Sequence, residues 1–75
     1  MKEVVEIIAK ALVDHPEDVT VEERQEDRMT FIELHVASDD MGKVIGKQGR
    51  IAKAIRTVAK AAGIRENKKV KVDIN

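Results

Sequence analysis

"KVIGKQGRI", residues 43 to 51, sets two of the chain's four glycines three positions apart, between an apolar pair and a basic run that favours helix. Glycine reaches positive φ and carries no Cβ, so Gly46-Lys47-Gln48-Gly49 can turn the chain sharply while leaving its backbone bare. The turn therefore joins two helices, and the rest of the fold is read outward from that joint.

On its N-terminal side, Ser38, Asp39 and Asp40 suit a helix cap, and Met41, Val44 and Ile45 follow, which predicts a short helix stopped by Gly46. Downstream, a longer helix is expected from about Gly49 to Ala62, with Gly63 as its C-terminal stop. At about 100° per residue, Ile51, Ile55, Val58 and Ala62 fall within roughly 60° and make a core-facing stripe. Arg50, Lys53, Arg56 and Lys60 occupy a separate arc of about 120°, a basic rail. No acidic residue occurs from Met41 to Arg65.

Further upstream, Val4, Val5, Ile8 and Leu12, with Ile7 and Ala11 beside them, recur at helical spacing until His15-Pro16, because the residue before proline is pushed out of the helical region. Val19 and Val21 alternate with polar neighbours, and so do Ile32, Leu34 and Val36. Period-two patterning of this kind predicts two strands, paired as an antiparallel hairpin. The segment "EERQEDR", 22 to 28, lacks glycine and proline, so the connection is expected to be an exposed turn whose length the sequence does not define. "KKVKVDIN" alternates Val70, Val72 and Ile74 with charged residues, a third strand for the same sheet. The predicted class is α+β in the order α-β-β-α-α-β, a three-stranded sheet with helices on one face, as a single domain over residues 1–75.

Composition narrows the chemistry. The chain has no cysteine, which excludes disulfides, thiolate metal sites and a cysteine nucleophile; no metal or cofactor is expected. The opening segment is apolar on one side only and carries Glu3, Glu6 and Lys10, so it predicts neither a signal peptide nor a membrane span, and the expected location is the cytoplasm. Net charge is zero, but its distribution is lopsided. Residues 1–40 hold four basic residues against twelve acidic ones, and residues 41–75 hold ten against two, so the halves carry minus eight and plus eight. A local positive field of that kind attracts polyanions.

The bare turn can admit a sugar-phosphate chain, the start of the following helix favours an anion, and Lys47 and Gln48 add a mobile charge and a neutral hydrogen-bonding group. Arg50 and Lys53 are the expected phosphate contacts, with Val44 and Ile45 as groove or core residues beside the turn. "VIGKQGRIAKAI", 44 to 55, resembles the KH domain, whose signature is an apolar pair, a G-x-x-G loop and a helix. The element order is that of the type II KH arrangement, and "MGKVIGKQGRIAKAIRTVAKAAG" looks like the small stand-alone bacterial KH proteins of the KhpA family. The resemblance covers essentially the whole chain. It implies binding of single-stranded RNA, about four nucleotides held by the loop, with Gly46, Lys47, Gln48 and Gly49 as the contacts. It also implies a role as an RNA chaperone or post-transcriptional regulator, and self-association or pairing with the larger, multidomain KhpB. The chain departs from many KH domains at Ala52, where isoleucine is common.

Other classes fit less well. "GKVIGKQG" lacks the four-residue spacing of a P-loop and has Gln48 where Ser or Thr would hold magnesium. His15 and His35 fall on solvated positions, Asp39 and Asp40 read as caps, and no enzymatic activity is expected. A protein-interaction module acting through dimerisation stays open as the alternative, and duplex DNA ranks below RNA.

Overall fold

The computed structural model describes residues 1–75. α1 spans Lys2–Leu12, β1 Thr20–Glu26, β2 Met29–His35, α2 Ser38–Arg65 and β3 Lys69–Ile74, with a short 3₁₀ turn at Pro16–Asp18. α2 is continuous in outline but holds four non-helical residues, Gly46 to Gly49, so it consists of two helical segments, 38–45 and 50–65, on either side of a kink. The order is thus the expected α-β-β-α-α-β.

The sheet runs β1-β2-β3. β1 and β2 form the antiparallel hairpin, pairing Val21 with Leu34 and Glu23 with Ile32. β3 lies parallel to β2, Ile32 opposite Val72, and α2 supplies the crossover that a parallel pair needs. Val21, Ile32, Leu34 and Val72 are buried under the helices. Their strand neighbours Glu22, Arg24, Glu33 and Lys71 are exposed on the other side. One face of the sheet is therefore core and the other is open, as period-two patterning demands.

The turn expected within the segment 22–28 is short and lies at its end. β1 continues to Glu26, and only Asp27 and Arg28 separate it from β2. Asp27 adopts φ +54, a left-handed conformation that aspartate tolerates better than most residues, so this hairpin needs no glycine.

Both helices bury different residues from those that hydrophobicity alone selects. α1 buries Val5 and Ala9, with Val13 buried just past its end, leaving Ile7 68% exposed and Val4 and Leu12 at the surface. In α2 the buried line is Ala52, Ile55, Ala59 and Gly63, while Ile51, Val58 and Ala62 are half-buried. The contact stripe is turned by about 70° from the expected one. Small residues win this line because the helix lies close against the sheet. At Gly63 the approach is closest: a Cβ there would stand 2.5 Å from Cγ2 of Val70 and 2.8 Å from the carbonyl oxygen of Lys68.

Gly63 is therefore a packing residue inside the helix and not its stop. The helix runs on to Arg65, and Asn67 at φ +58 closes it. The Lys68 amide donates to the Gly63 carbonyl at 2.8 Å and the Asn67 amide to that of Ile64 at 3.1 Å, the paired bonds of a Schellman ending. Gly63→Ala should destabilise the fold by about 1–3 kcal/mol, although alanine is intrinsically the better helix former by about 1 kcal/mol. Urea denaturation measures it, and a variant as stable as the parent would contradict the close packing.

The expected caps also act otherwise. The N-cap of α2 is Ala37, with no side-chain hydrogen bond. Asp40 is buried at 1% exposure and reaches back to α1, its carboxylate accepting the amides of Asp14 at 3.1 Å and His15 at 2.9 Å. α1 itself ends at Leu12, ahead of the proline, and Pro16 opens the 3₁₀ turn at a position where its missing N–H costs nothing. No helix is long and apolar enough to cross a membrane.

Candidate nucleic-acid interface

The kink is built from an extended residue and three left-handed ones. Gly46 has φ −69 and ψ −179, whereas Lys47, Gln48 and Gly49 have φ +52, +64 and +68. Left-handed conformation costs a non-glycine residue roughly 1–2 kcal/mol. Two consecutive side-chain-bearing, exposed residues of α2 therefore hold unfavourable backbone, a pattern that gathers at ligand clamps.

Gly49 needs its freedom, because its φ lies where L side chains are strained. Gly46 does not. Its backbone is ordinary, and a Cβ added to it meets nothing within 4 Å. Nothing inside the folded chain requires glycine there, so the bareness of that position faces outward.

The sequence-derived site residues divide by burial. Lys47, Gln48, Arg50 and Lys53 are exposed, and Gly46 and Gly49 half-buried. Ile45 is 48% exposed at the foot of the turn, offering an apolar surface beside it. Val44 is fully buried and has no surface to present; it anchors the first segment of α2 in the core, as Ile55 anchors the second.

Ion pairing sharpens the charge asymmetry. Lys10, Arg24, Lys43 and Lys68 pair with carboxylates within 4.0 Å. Lys43, the first residue of the segment 43–51, is thus matched by Asp14 at 3.1 Å. Lys47, Arg50, Lys53, Arg56, Lys60 and Arg65 have no such partner, and neither do Lys69 and Lys71 of β3. The free cations of α2 and β3 leave a positive field that no paired carboxylate offsets.

Turning the buried stripe also moves the rail. Arg56 is brought alongside β3, where its Nε donates to the Val72 carbonyl at 3.4 Å. β3 carries Lys69 and Lys71 on the same flank, a contribution that sequence periodicity assigned only to a strand. The strand order, which places β3 at the sheet edge beside α2, is what reveals it.

His15 and His35 stand apart, each among its own exposed carboxylates: His15 near Glu17 and Asp39, His35 near Glu22 and Glu33. Neither grouping includes a residue of the turn.

Comparison with known proteins agrees with this geometry. The family model described as "KhpA/KhpB, KH domain" matches residues 2–74. A Clostridium perfringens protein named RNA-binding protein KhpA is 69% identical over 74 residues, covering 99% of both chains. Proteins of the same name from Clostridium acetobutylicum and Caldanaerobacter subterraneus subsp. tengcongensis are 61% and 60% identical, again over 99% of both chains. No solved structure matches the chain. With the α-β-β-α-α-β order, the glycine-bounded turn between two helical segments and a match across nearly every residue, the chain belongs to the KhpA/KhpB family of KH domains.

Proposed function

We propose that residues 1–75 form one KH domain that binds single-stranded RNA, without catalysis, by holding the sugar-phosphate backbone against the Gly46–Gly49 turn. The observation that carries this reading is the turn itself: strained, exposed, bare at a glycine that the fold does not need, and set among unpaired cations. The names of the relatives support RNA over other polyanions. Lys47, Arg50 and Lys53 supply charge to successive phosphates, Gln48 hydrogen-bonds, and Ile45 receives apolar surface. Such a short contact gives modest affinity that falls with salt.

The cell compartment that fits is the cytoplasm, and the role that fits is RNA chaperone or post-transcriptional regulator. Self-association, or pairing with a KhpB chain, would double the basic track and raise avidity.

Competition tests the reading. A labelled single-stranded RNA bound to the protein should be displaced by unlabelled single-stranded RNA well before duplex DNA of the same length, because the turn clamps a flexible backbone and presents no helix for the major groove. Preferential displacement by the duplex would overturn it.

Gly46→Ala isolates the clamp from the fold. Added to open space on ordinary backbone, the methyl group should leave the melting temperature within a few degrees. It should weaken RNA binding by about tenfold, one step of about 1.4 kcal/mol, by holding the strand off the turn. Unchanged affinity in a fluorescence-anisotropy titration would mean that no backbone approaches Gly46.

A further inference from the structure

Three of the five large apolar side chains left exposed in this chain belong to α1: Val4 at 38%, Ile7 at 68% and Leu12 at 37%. At about 100° per residue, Val4, Ile7 and Ala11 fall within roughly 60°, on a line turned by about 140° from the buried Val5 and Ala9. Half-buried Ile8 and exposed Leu12 fill the arc between the two lines, so apolar surface runs unbroken from the core to the outer side of the helix. The fold uses only the inner line.

The charges beside the outer line are ordered by sign. Glu3 and Lys10 lie beyond Ile7 on one flank, seven positions apart, which is about 10 Å along the axis. Their midpoint falls beside Ile7. When a second α1 is laid antiparallel across that midpoint, each flank meets its own counterpart. Ile7 then packs on Ile7 of the second copy, Val4 lies near its Ala11, and Glu3 of each helix stands opposite Lys10 of the other. A parallel pair would instead set both charges against the apolar Ile8 side. Glu3 is 80% exposed, with the terminal ammonium 3.5 Å away, and Lys10 meets Glu6 at 3.1 Å in an exposed pair that contributes little, so both side chains can turn outward.

We infer that α1 is a self-association surface, through which two copies of this chain pair by antiparallel α1 helices about a two-fold axis beside Ile7. The apolar outer line supplies the contact, and the Glu3–Lys10 pairs fix its direction. The helix is about 16 Å long and offers fewer residues than the roughly 20–30 a side of a stable interface, so the dimer is weak and reversible. None of its residues belongs to the Gly46–Gly49 turn or to the second segment of α2, so a pair carries two copies of the RNA-binding surface. The pairing stands without RNA, and only its use as avidity rests on the RNA reading above.

Sedimentation velocity without RNA, over a concentration series reaching about 1 mM, tests it. The parent should shift toward dimer as concentration rises. Ile7→Asp sets two like charges together at the axis and should stay monomeric through the series, while its melting temperature stays within a few degrees because the side chain is exposed in the single copy. Glu3→Lys and Lys10→Glu each place like charges opposite one another at both ends of the pair, and each should associate about tenfold more weakly. An equal mixture of those two variants should recover the parental association, because every charge then meets its opposite across the axis. Circular dichroism confirms that each variant folds.

A mixture that associates no better than either variant alone overturns the antiparallel pairing, and undiminished association of Ile7→Asp overturns α1 as the surface. A parent that stays monomeric throughout overturns the second copy as occupant and leaves the stripe to a helix of another protein. Failure of the RNA clamp is read separately, in the RNA titrations.

Discussion

Lys47→Asp/Gln48→Asp should abolish measurable binding of single-stranded RNA, a loss of about a hundredfold or more, while the melting temperature stays within a few degrees of the parent. Both positions hold left-handed backbone, at φ +52 and +64, and aspartate enters that region more readily than most residues. Both side chains are exposed and neither makes a hydrogen bond or ion pair within the chain, so the fold loses nothing. The ligand loses a great deal. One favourable charge becomes repulsive and one neutral group becomes an anion at the point of closest approach, and a hundredfold is about 2.7 kcal/mol. Fluorescence anisotropy with circular dichroism on the same samples decides it. If both proteins bind RNA equally, the contact lies elsewhere, and the interaction-module reading becomes the one to pursue.

The glycine pattern at 46 and 49 was legible because it breaks a helix at a fixed spacing inside an apolar frame, and alternation was enough to find all three strands. What escaped was set by distance and shape. The hairpin was legible but the length of its turn was not, because Asp27 does what glycine usually does there. Gly63 looked like a terminator when it is a contact against Val70, since a missing side chain reads the same in both roles. Apolar side chains at 51 and 58 outrank Ala52 and Ala59 on hydrophobicity, but a helix that packs this closely buries the small residues. That same rotation carries Arg56 to the edge of β3, so part of the basic surface belongs to a groove and not to an outward face. Val44 shows the converse limit: adjacency to the turn in sequence placed it beside the site, and burial removes it from contact.

Asp40→Ala should lower stability by about 3 kcal/mol, the largest single-site loss expected here outside the apolar core. The carboxylate is buried and its two oxygens accept different amides, those of Asp14 and His15, where the chain leaves α1 without helical partners. A hydrogen bond to a charged group contributes roughly 1.5–3 kcal/mol, and removing the acceptor leaves partly buried N–H groups unmade. For a domain of this size 3 kcal/mol is a large part of a total of roughly 4–11 kcal/mol, and it corresponds to a fall in melting temperature of about 12–24 °C. Asp40→Asn should recover little of it. Two donors need two acceptors, and asparagine offers one oxygen and turns an NH₂ toward the second amide. The loss also bears on the site. The first segment of α2 is only 38–45, and it is held to the body by Val44 in the core and by this carboxylate, since the exposed Lys43–Asp14 pair contributes little. Freed at Asp40, the segment no longer fixes the direction from which the turn meets its ligand, so RNA affinity should decline at temperatures where the variant is still folded. Thermal melts of the two variants, with anisotropy at a temperature well below both midpoints, measure the two effects separately. An alanine variant melting within about 3 °C of the parent, less than the shift expected from 1 kcal/mol, would mean that those amides find other partners and that Asp40 does not hold the turn in place.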